Sequence, residues 1–161
     1  MTIGFNHLGR HGRLGNQMFQ YAGLRGIAAH KGYDFAIPPS DFNDEWNDHQ
    51  LFEAFKLTGL TNIEQIPGPY VQEAHFHFDQ NLFDNMPDGH NVYAYLQSTK
   101  YFEHIEEEIR EDFEFKNDIH LPCKEMMNTL QDPIALHVRR GDYIQNSDNH
   151  PPCPKEYYDT A

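Results

Sequence analysis

An α/β fold is what this sequence predicts, and three observations carry the prediction. A short apolar segment feeds a glycine-punctuated loop and a long helical pattern; an alternating segment follows that helix; and a compact apolar run, Ile134 to Val138, ends in a polar turn. Strands separated by helices favour a parallel sheet with helices packed against it. The chain has 161 residues, 39% hydrophobic and 14% aromatic, which suffices for one domain-sized core and part of another.

Thr2 to Leu8 reads as the opening strand, with Gly9, Gly12 and Gly15 punctuating the loop after it. Asn16 is the expected cap of a helix from Gln17 to Lys31, because Phe19, Ala22, Gly23, Gly26 and Ile27 recur at helical spacing, and Gly32 is placed to stop it. Interior glycines cost about 1 kcal/mol each relative to alanine, so Gly23 and Gly26 predict that this helix brings its backbone close to a neighbour. Tyr33, Phe35 and Ile37 then alternate toward Pro38-Pro39, a second strand and its termination. Residues 39 to 50, with Asp41, Asp44, Glu45 and Asp48 around Trp46, predict an acidic loop or short irregular helix.

Val71 to Phe78 alternates as an extended strand does, and Asn91 to Leu96 is Tyr-rich and β-prone. Tyr101, Ile105, Ile109 and Phe113 recur every four residues among Glu103, Glu106, Glu107, Glu108 and Glu111, which predicts an amphipathic helix with an acidic, solvated outer face. Ile134 to Val138 predicts a buried parallel strand. Pro154 suits the first position of a last helix, which stops at Ala161 after about two turns. So short a closing element predicts a fragment: residues 1–132 as one Rossmann-like domain, and residues 133–161 as the incomplete beginning of a second.

Twelve Lys plus Arg against 25 Asp plus Glu give a formal charge of -13, a field that repels phosphate backbones and argues against nucleic acid as a partner. No run approaches the roughly 18 apolar residues of a transmembrane span. Asn6, His7, Arg10, His11 and Arg13 interrupt the segment where a secretory core would lie. The expectation is a soluble, cytoplasmic protein in which Cys123 and Cys153 stay reduced.

Two clusters carry candidate chemistry. His137-Val138-Arg139-Arg140-Gly141-Asp142-Tyr143 lies where a strand would end, the place at which open α/β sheets bind ligands. Paired guanidinium groups there suit a diphosphate, and pairing with Asp142 or the acidic surface is the plainer reading. Gly12-Arg13-Leu14-Gly15-Asn16-Gln17 places a glycine loop at a helix N-terminus, suited to an anion or equally to a simple capping turn. Two rivals belong to other classes. If residues 72–79 are extended, Glu73, His75, His77 and Asp79 share one face as a carboxylate-imidazole set for Zn or Fe, making a metalloenzyme. Exposure of Arg140-Gly141-Asp142 would instead make a non-catalytic adhesion module.

Taken with Leu96-Gln97-Ser98-Thr99-Lys100-Tyr101-Phe102, the two clusters, in this order, resemble the alpha-1,2-fucosyltransferases of glycosyltransferase family 11. The resemblance runs over essentially the whole chain, including Cys153 and Glu156-Tyr157-Tyr158. It implies a GT-B architecture of two Rossmann-like halves, of which this chain holds the first and the start of the second. It also implies GDP-fucose as donor substrate, a galactosyl glycan as acceptor, and inverting transfer with neither metal nor cofactor. By the same resemblance Arg139 meets the donor pyrophosphate and Arg140 supports that charge. Gly15 and Asn16 lie close to donor and acceptor, and His137 and Asp142 shape the strand end.

Overall fold

The computed structural model describes residues 1–40 and 49–160. The acidic stretch expected around Trp46 falls on residues 41–48 and lies outside the described residues. The chain forms two compact units, Met1–Leu121 and Pro122–Ala161. No helix among the described residues is long and apolar enough to cross a membrane.

The first unit is α/β and Rossmann-like. Five strands, β1 (Thr2–Gly4), β2 (Asp34–Ile37), β3 (Asn62–Ile63), β4 (Tyr70–Gln72) and β5 (Asn91–Tyr93), form one sheet in the order β3-β2-β1-β5-β4. Every pairing is parallel, with Ile3 opposite Phe35 and Val71 opposite Val92. Ile3, Phe5, Phe35, Ile37 and Val92 are buried, as strands of a covered parallel sheet must be. From β1 the chain runs outward through β2 to β3, crosses to the far edge at β4 and steps inward to β5 beside β1, so the carboxyl ends of β1, β5 and β4 lie side by side at one end of the sheet.

Helix α1 (Leu14–Lys31) packs on β1 and β2 through Tyr21, Leu24 and Ile27. It ends as its sequence dictates. Gly32 adopts φ 68°, and the Gly32 and Tyr33 amides return to the carbonyls of Ala29 and Ala28. The interior glycines do bring the backbone against a neighbour. A Cβ on Gly26 would sit 1.9 Å from the Tyr101 carbonyl oxygen, and one on Gly23 would sit 2.7 Å from the Leu96 side chain. The start differs from expectation: the N-cap is Arg13, with no side-chain cap bond, and Asn16 lies inside the first turn. The Gly12 backbone at φ 93° closes over the Asn16 side chain and leaves that side chain no role as a cap.

Three shorter helices complete this unit: α2 (Leu51–Ala54), α3 (Gln80–Asn85) and α4 (Glu106–Asp112). The amphipathic pattern from Tyr101 to Phe113 is only partly one helix. Residues Thr99–Tyr101 and Glu103–Ile105 are successive 3-10 turns, because Tyr101 is drawn inward by hydrogen bonds of its hydroxyl and the regular α path resumes only at Glu106. The strand expected over Val71 to Phe78 stops at Gln72, where β5 ends and the ladder has no further partner.

Helix α5 (Asn117–Asn128) crosses the division between the units. Among the described residues α6 (Gly141–Gln145) and α7 (Lys155–Thr160) are the helices that lie wholly within the second unit, and α7 begins directly after Pro154, as that proline predicts. Ile134 to Val138 is not a strand: Ile134 is 94% and Leu136 66% exposed. A buried parallel strand needs ladder partners and covered faces, and no described segment pairs with this one. Cys123 and Cys153 are both free and exposed.

Candidate functional site

At the carboxyl ends of β1, β5 and β4 the chain builds a crevice from three loops. The loop after β1 is held by two buried glutamines of α1. Gln20 Nε2 donates to the His11 carbonyl at 2.9 Å and Gln17 Nε2 to that of Gly12 at 3.4 Å, while Gln17 Oε1 accepts from the Gln50 amide at 3.0 Å. Burying an amide side chain costs stability unless it is hydrogen-bonded, so these bonds explain why polar residues occupy the inner face of α1. Asn6 fixes the base of the same loop, its Nδ2 donating to the Ile66 carbonyl and its Oδ1 accepting from the Ile66 amide.

Aromatic rings fill the space above the strand ends. His7 stacks on Tyr70 with centroids 4.7 Å apart, and His11 meets Tyr93 edge-on at 4.9 Å. Burial, with Arg10 and His11 adding to it, pushes the His7 imidazole below its ordinary range and favours its neutral form. His11, Tyr93, Tyr95 and Phe76 line a cavity of about 380 Å³ together with Gln72, Glu73 and His75.

The loop after β4 is tied to that after β5 by one carboxylate. Glu73 Oε2 accepts from the amides of Tyr95 and Leu96 at 3.0 and 3.2 Å, and its Oε1 accepts from the Tyr101 hydroxyl at 2.9 Å. Leu96 has φ 52°, a left-handed conformation that costs a residue with a Cβ roughly 1–2 kcal/mol. The Glu73 bond and the fit of Leu96 against Gly23 hold it there. One residue further, Gln97 Nε2 donates to Asn16 Oδ1 at 2.6 Å. Asn16 is thus joined to the crevice wall, while exposed Gly15 has open space where a side chain would stand.

The metal rival does not survive this geometry. Beyond Gln72 the segment turns, so alternation no longer places its four polar residues on one face. Glu73 is occupied as described. Asp79 caps α3, accepting from the Leu82 amide at 3.1 Å and the Ala74 amide at 3.0 Å. Burial opposes ionisation of Asp79, but the Ala74 and Leu82 amides outweigh it and hold the carboxyl below its ordinary range. His75 and His77 stack on each other at 3.7 Å. Among the described residues no group of three or more His, Cys, Asp or Glu is arranged to hold a metal ion.

The second unit carries the Arg pair. The Arg139 guanidinium lies 4.6 Å from the Tyr143 ring centroid, a cation-π contact, and Tyr143 in turn stacks on His150. Arg140 lines a cavity of about 470 Å³ with Lys155, Cys153 and Tyr158, so two cationic side chains border one hollow. Gly141 has φ 35° and opens α6, which places Arg140-Gly141-Asp142 across a helix start. His137 lies on the segment leading to the pair, and the Asp142 side chain lies outside the described residues. Gly15 and Asn16 therefore belong to one unit and His137, Arg139, Arg140 and Asp142 to the other. The sequence motifs include Gln17 in the glycine-loop cluster but carry no role for His11, Gln20, Tyr93 or Tyr95. The Tyr-rich stretch from Asn91 to Leu96 was the available signal, since strand alternation puts Tyr93 and Tyr95 on one side.

The alpha-1,2-colitosyltransferase of Escherichia coli is 24% identical over 91% of this chain and 59% of its own length. Galactoside alpha-(1,2)-fucosyltransferase 2 of Sus scrofa is 25% identical over 83% of this chain and 40% of its own. Galactoside alpha-(1,2)-fucosyltransferase 1 of Bos taurus is 27% identical, over 83% and 39% respectively. The chain thus spans between 39% and 59% of the length of these relatives. No solved structure matches it. A model of glycosyl transferase family 11 matches residues 2–161, and on that match the chain belongs to this family.

Proposed function

We propose that this sequence takes part in transfer of L-fucose, or a closely related deoxyhexose, from a GDP-linked donor to a galactoside by an inverting reaction that needs no metal or cofactor. In this reading it supplies the first Rossmann-like half of a GT-B enzyme, residues 1–132, and the beginning of the donor-binding half, residues 133–161. The observation that carries the reading is the Arg139-Arg140 pair on an otherwise acidic chain of net charge -13, in a family whose compared members are named for α-1,2 transfer.

In the reaction the acceptor hydroxyl oxygen forms a bond to the anomeric carbon while the bond from that carbon to the pyrophosphate oxygen breaks. The hydroxyl proton passes to a base or to water, and GDP leaves carrying the electron pair of the broken bond. Positive charge gathers on the sugar ring in an oxocarbenium-like transition state, and negative charge on the pyrophosphate. Arg139 neutralises the latter, its planar fork matching two phosphate oxygens, and Arg140 adds a second cation. His137 and Asp142 shape the segment that presents them. In the first half, Gly15 has open space where a side chain would stand, and the bond from Gln97 fixes the Asn16 amide next to it.

The test is radiolabelled transfer from GDP-fucose to a galactoside by a polypeptide of the relatives' length that contains this sequence. Transfer should persist in excess chelator, because the Arg pair stands where a metal would otherwise balance the pyrophosphate charge. Loss of transfer on chelation, restored by a divalent ion, would contradict the reading.

A further inference from the structure

We propose that the crevice at the carboxyl ends of β4 and β5, bordered by the loop after β1, is a pyranose subsite that seats the galactoside acceptor, with Tyr95 and Phe76 as its stacking wall. The inference rests on the transfer reading above and adds to it the place and the chemistry of acceptor recognition.

Three observations converge there. The crevice lies outside the carboxyl ends of parallel strands, where open α/β folds take ligands. Its volume of about 380 Å³ accommodates a sugar ring with its neighbour, within the usual range for small-molecule sites. Tyr95 and Phe76 face each other at 5.6 Å, tilted by 50°, and Phe76 remains 74% exposed although it is one of the largest apolar side chains. An aromatic face is electron-rich and attracts polarised C–H groups. A galactopyranose has such a face, because its axial C4 hydroxyl leaves the C–H bonds at C3, C4 and C5 together on the opposite side.

The polar side is fixed in advance. Glu73 is held by two amides on Oε2 and the Tyr101 hydroxyl on Oε1, so the one acceptor position left on Oε1 meets a sugar hydroxyl with little ordering left to do. Gln72 and His75 stand at the rim of the same crevice.

The experiment is a titration of the 15N-labelled 161-residue chain with methyl β-D-galactopyranoside, followed by two-dimensional NMR. Amides of His11, Glu73 to Phe76 and Tyr93 to Leu96 should shift in a saturable way, and methyl β-D-glucopyranoside, whose equatorial C4 hydroxyl breaks up the C–H face, should bind more weakly. Phe76→Ala alters an exposed side chain, so the fold stays intact and the galactoside affinity should fall about three- to tenfold. If these amides do not move with sugar on the order of 50 mM, above ordinary millimolar affinities, the subsite is overturned. Equal affinity for both sugars, or no effect of Phe76→Ala, overturns it as well. None of these outcomes touches the transfer reading, which stands or falls on the kinetics of Arg139 variants.

Discussion

Replacing Asp112 by alanine should remove a large part of the stability of the first unit. Asp112 is 0% exposed at the end of α4, and its carboxylate gathers donors from two other segments. Tyr21 Oη donates to it at 2.6 Å, the Gly59 amide at 2.6 Å and Thr58 Oγ1 at 3.2 Å, and Arg25, 15% exposed, forms an ion pair with it. Alanine would leave the Tyr21 hydroxyl and the Gly59 amide buried without partners, at about 1–3 kcal/mol each before relaxation. Arg25 keeps its 2.8 Å bond to the Glu108 carbonyl but loses its counter-charge. Removing one partner of a buried pair typically costs 3–5 kcal/mol, so the expected loss is about 3–5 kcal/mol, or on the order of 10–20 °C in Tm. Tyr21→Phe removes one bond and should cost about 1 kcal/mol. Burial and then Asp112 push the Tyr21 phenol well above its ordinary range. Its contribution is therefore full below about pH 10 and declines as pH rises further. Urea unfolding followed by circular dichroism measures all three effects. If Asp112→Ala unfolds cooperatively within about 1 kcal/mol of the parent, the carboxylate does not tie α1, α4 and the 57–59 loop together, and the reasoning is wrong.

Gly26→Ala should destabilise by about 1–3 kcal/mol even though alanine is the better helix former, because the new Cβ meets the Tyr101 carbonyl. Gly15→Ala, into open space, should be near neutral in the same thermal melts. Asp79→Ala should cost about 0.5–2 kcal/mol through loss of the α3 cap. The Asp79 carboxyl sits below its ordinary range, so its contribution is present above about pH 4 and lost as pH falls. The variant should show a flatter acid limb in urea unfolding measured across pH.

What the sequence made legible was local. Gly32 stops α1 because a left-handed cap follows from one residue, and Pro154 precedes α7 for a similar reason. Gly23 and Gly26 announced a close approach that the structure supplies through Leu96 and Tyr101. Where partners decide, pattern misled. Alternation from Val71 to Phe78 matches a strand, but β4 has only as many partners as β5 offers, and Glu73 turns instead toward Tyr95 and Tyr101. The run from Ile134 to Val138 has the composition of a buried strand without a neighbour to bury it. In the candidate site the Gly-Arg-Leu-Gly-Asn-Gln and Arg-Arg-Gly-Asp segments stood out because glycine and arginine are chemically distinctive. The role of Gln20 in holding His11 rests on a fold-dependent bond that no spacing encodes.

The central claim is that Arg139 stabilises the charge developing on a departing GDP, and steady-state transfer kinetics of Arg139 variants test it most directly. In a polypeptide of the relatives' length, Arg139→Ala should lower kcat by about 10²- to 10³-fold, the loss expected for one preorganised charge stabiliser. Arg139→Lys should recover only part of it, since an ammonium group lacks the two-pronged fork. A kcat for Arg139→Ala within about twofold of the parent would contradict the account, because a group that balances the leaving pyrophosphate cannot be removed without slowing its departure.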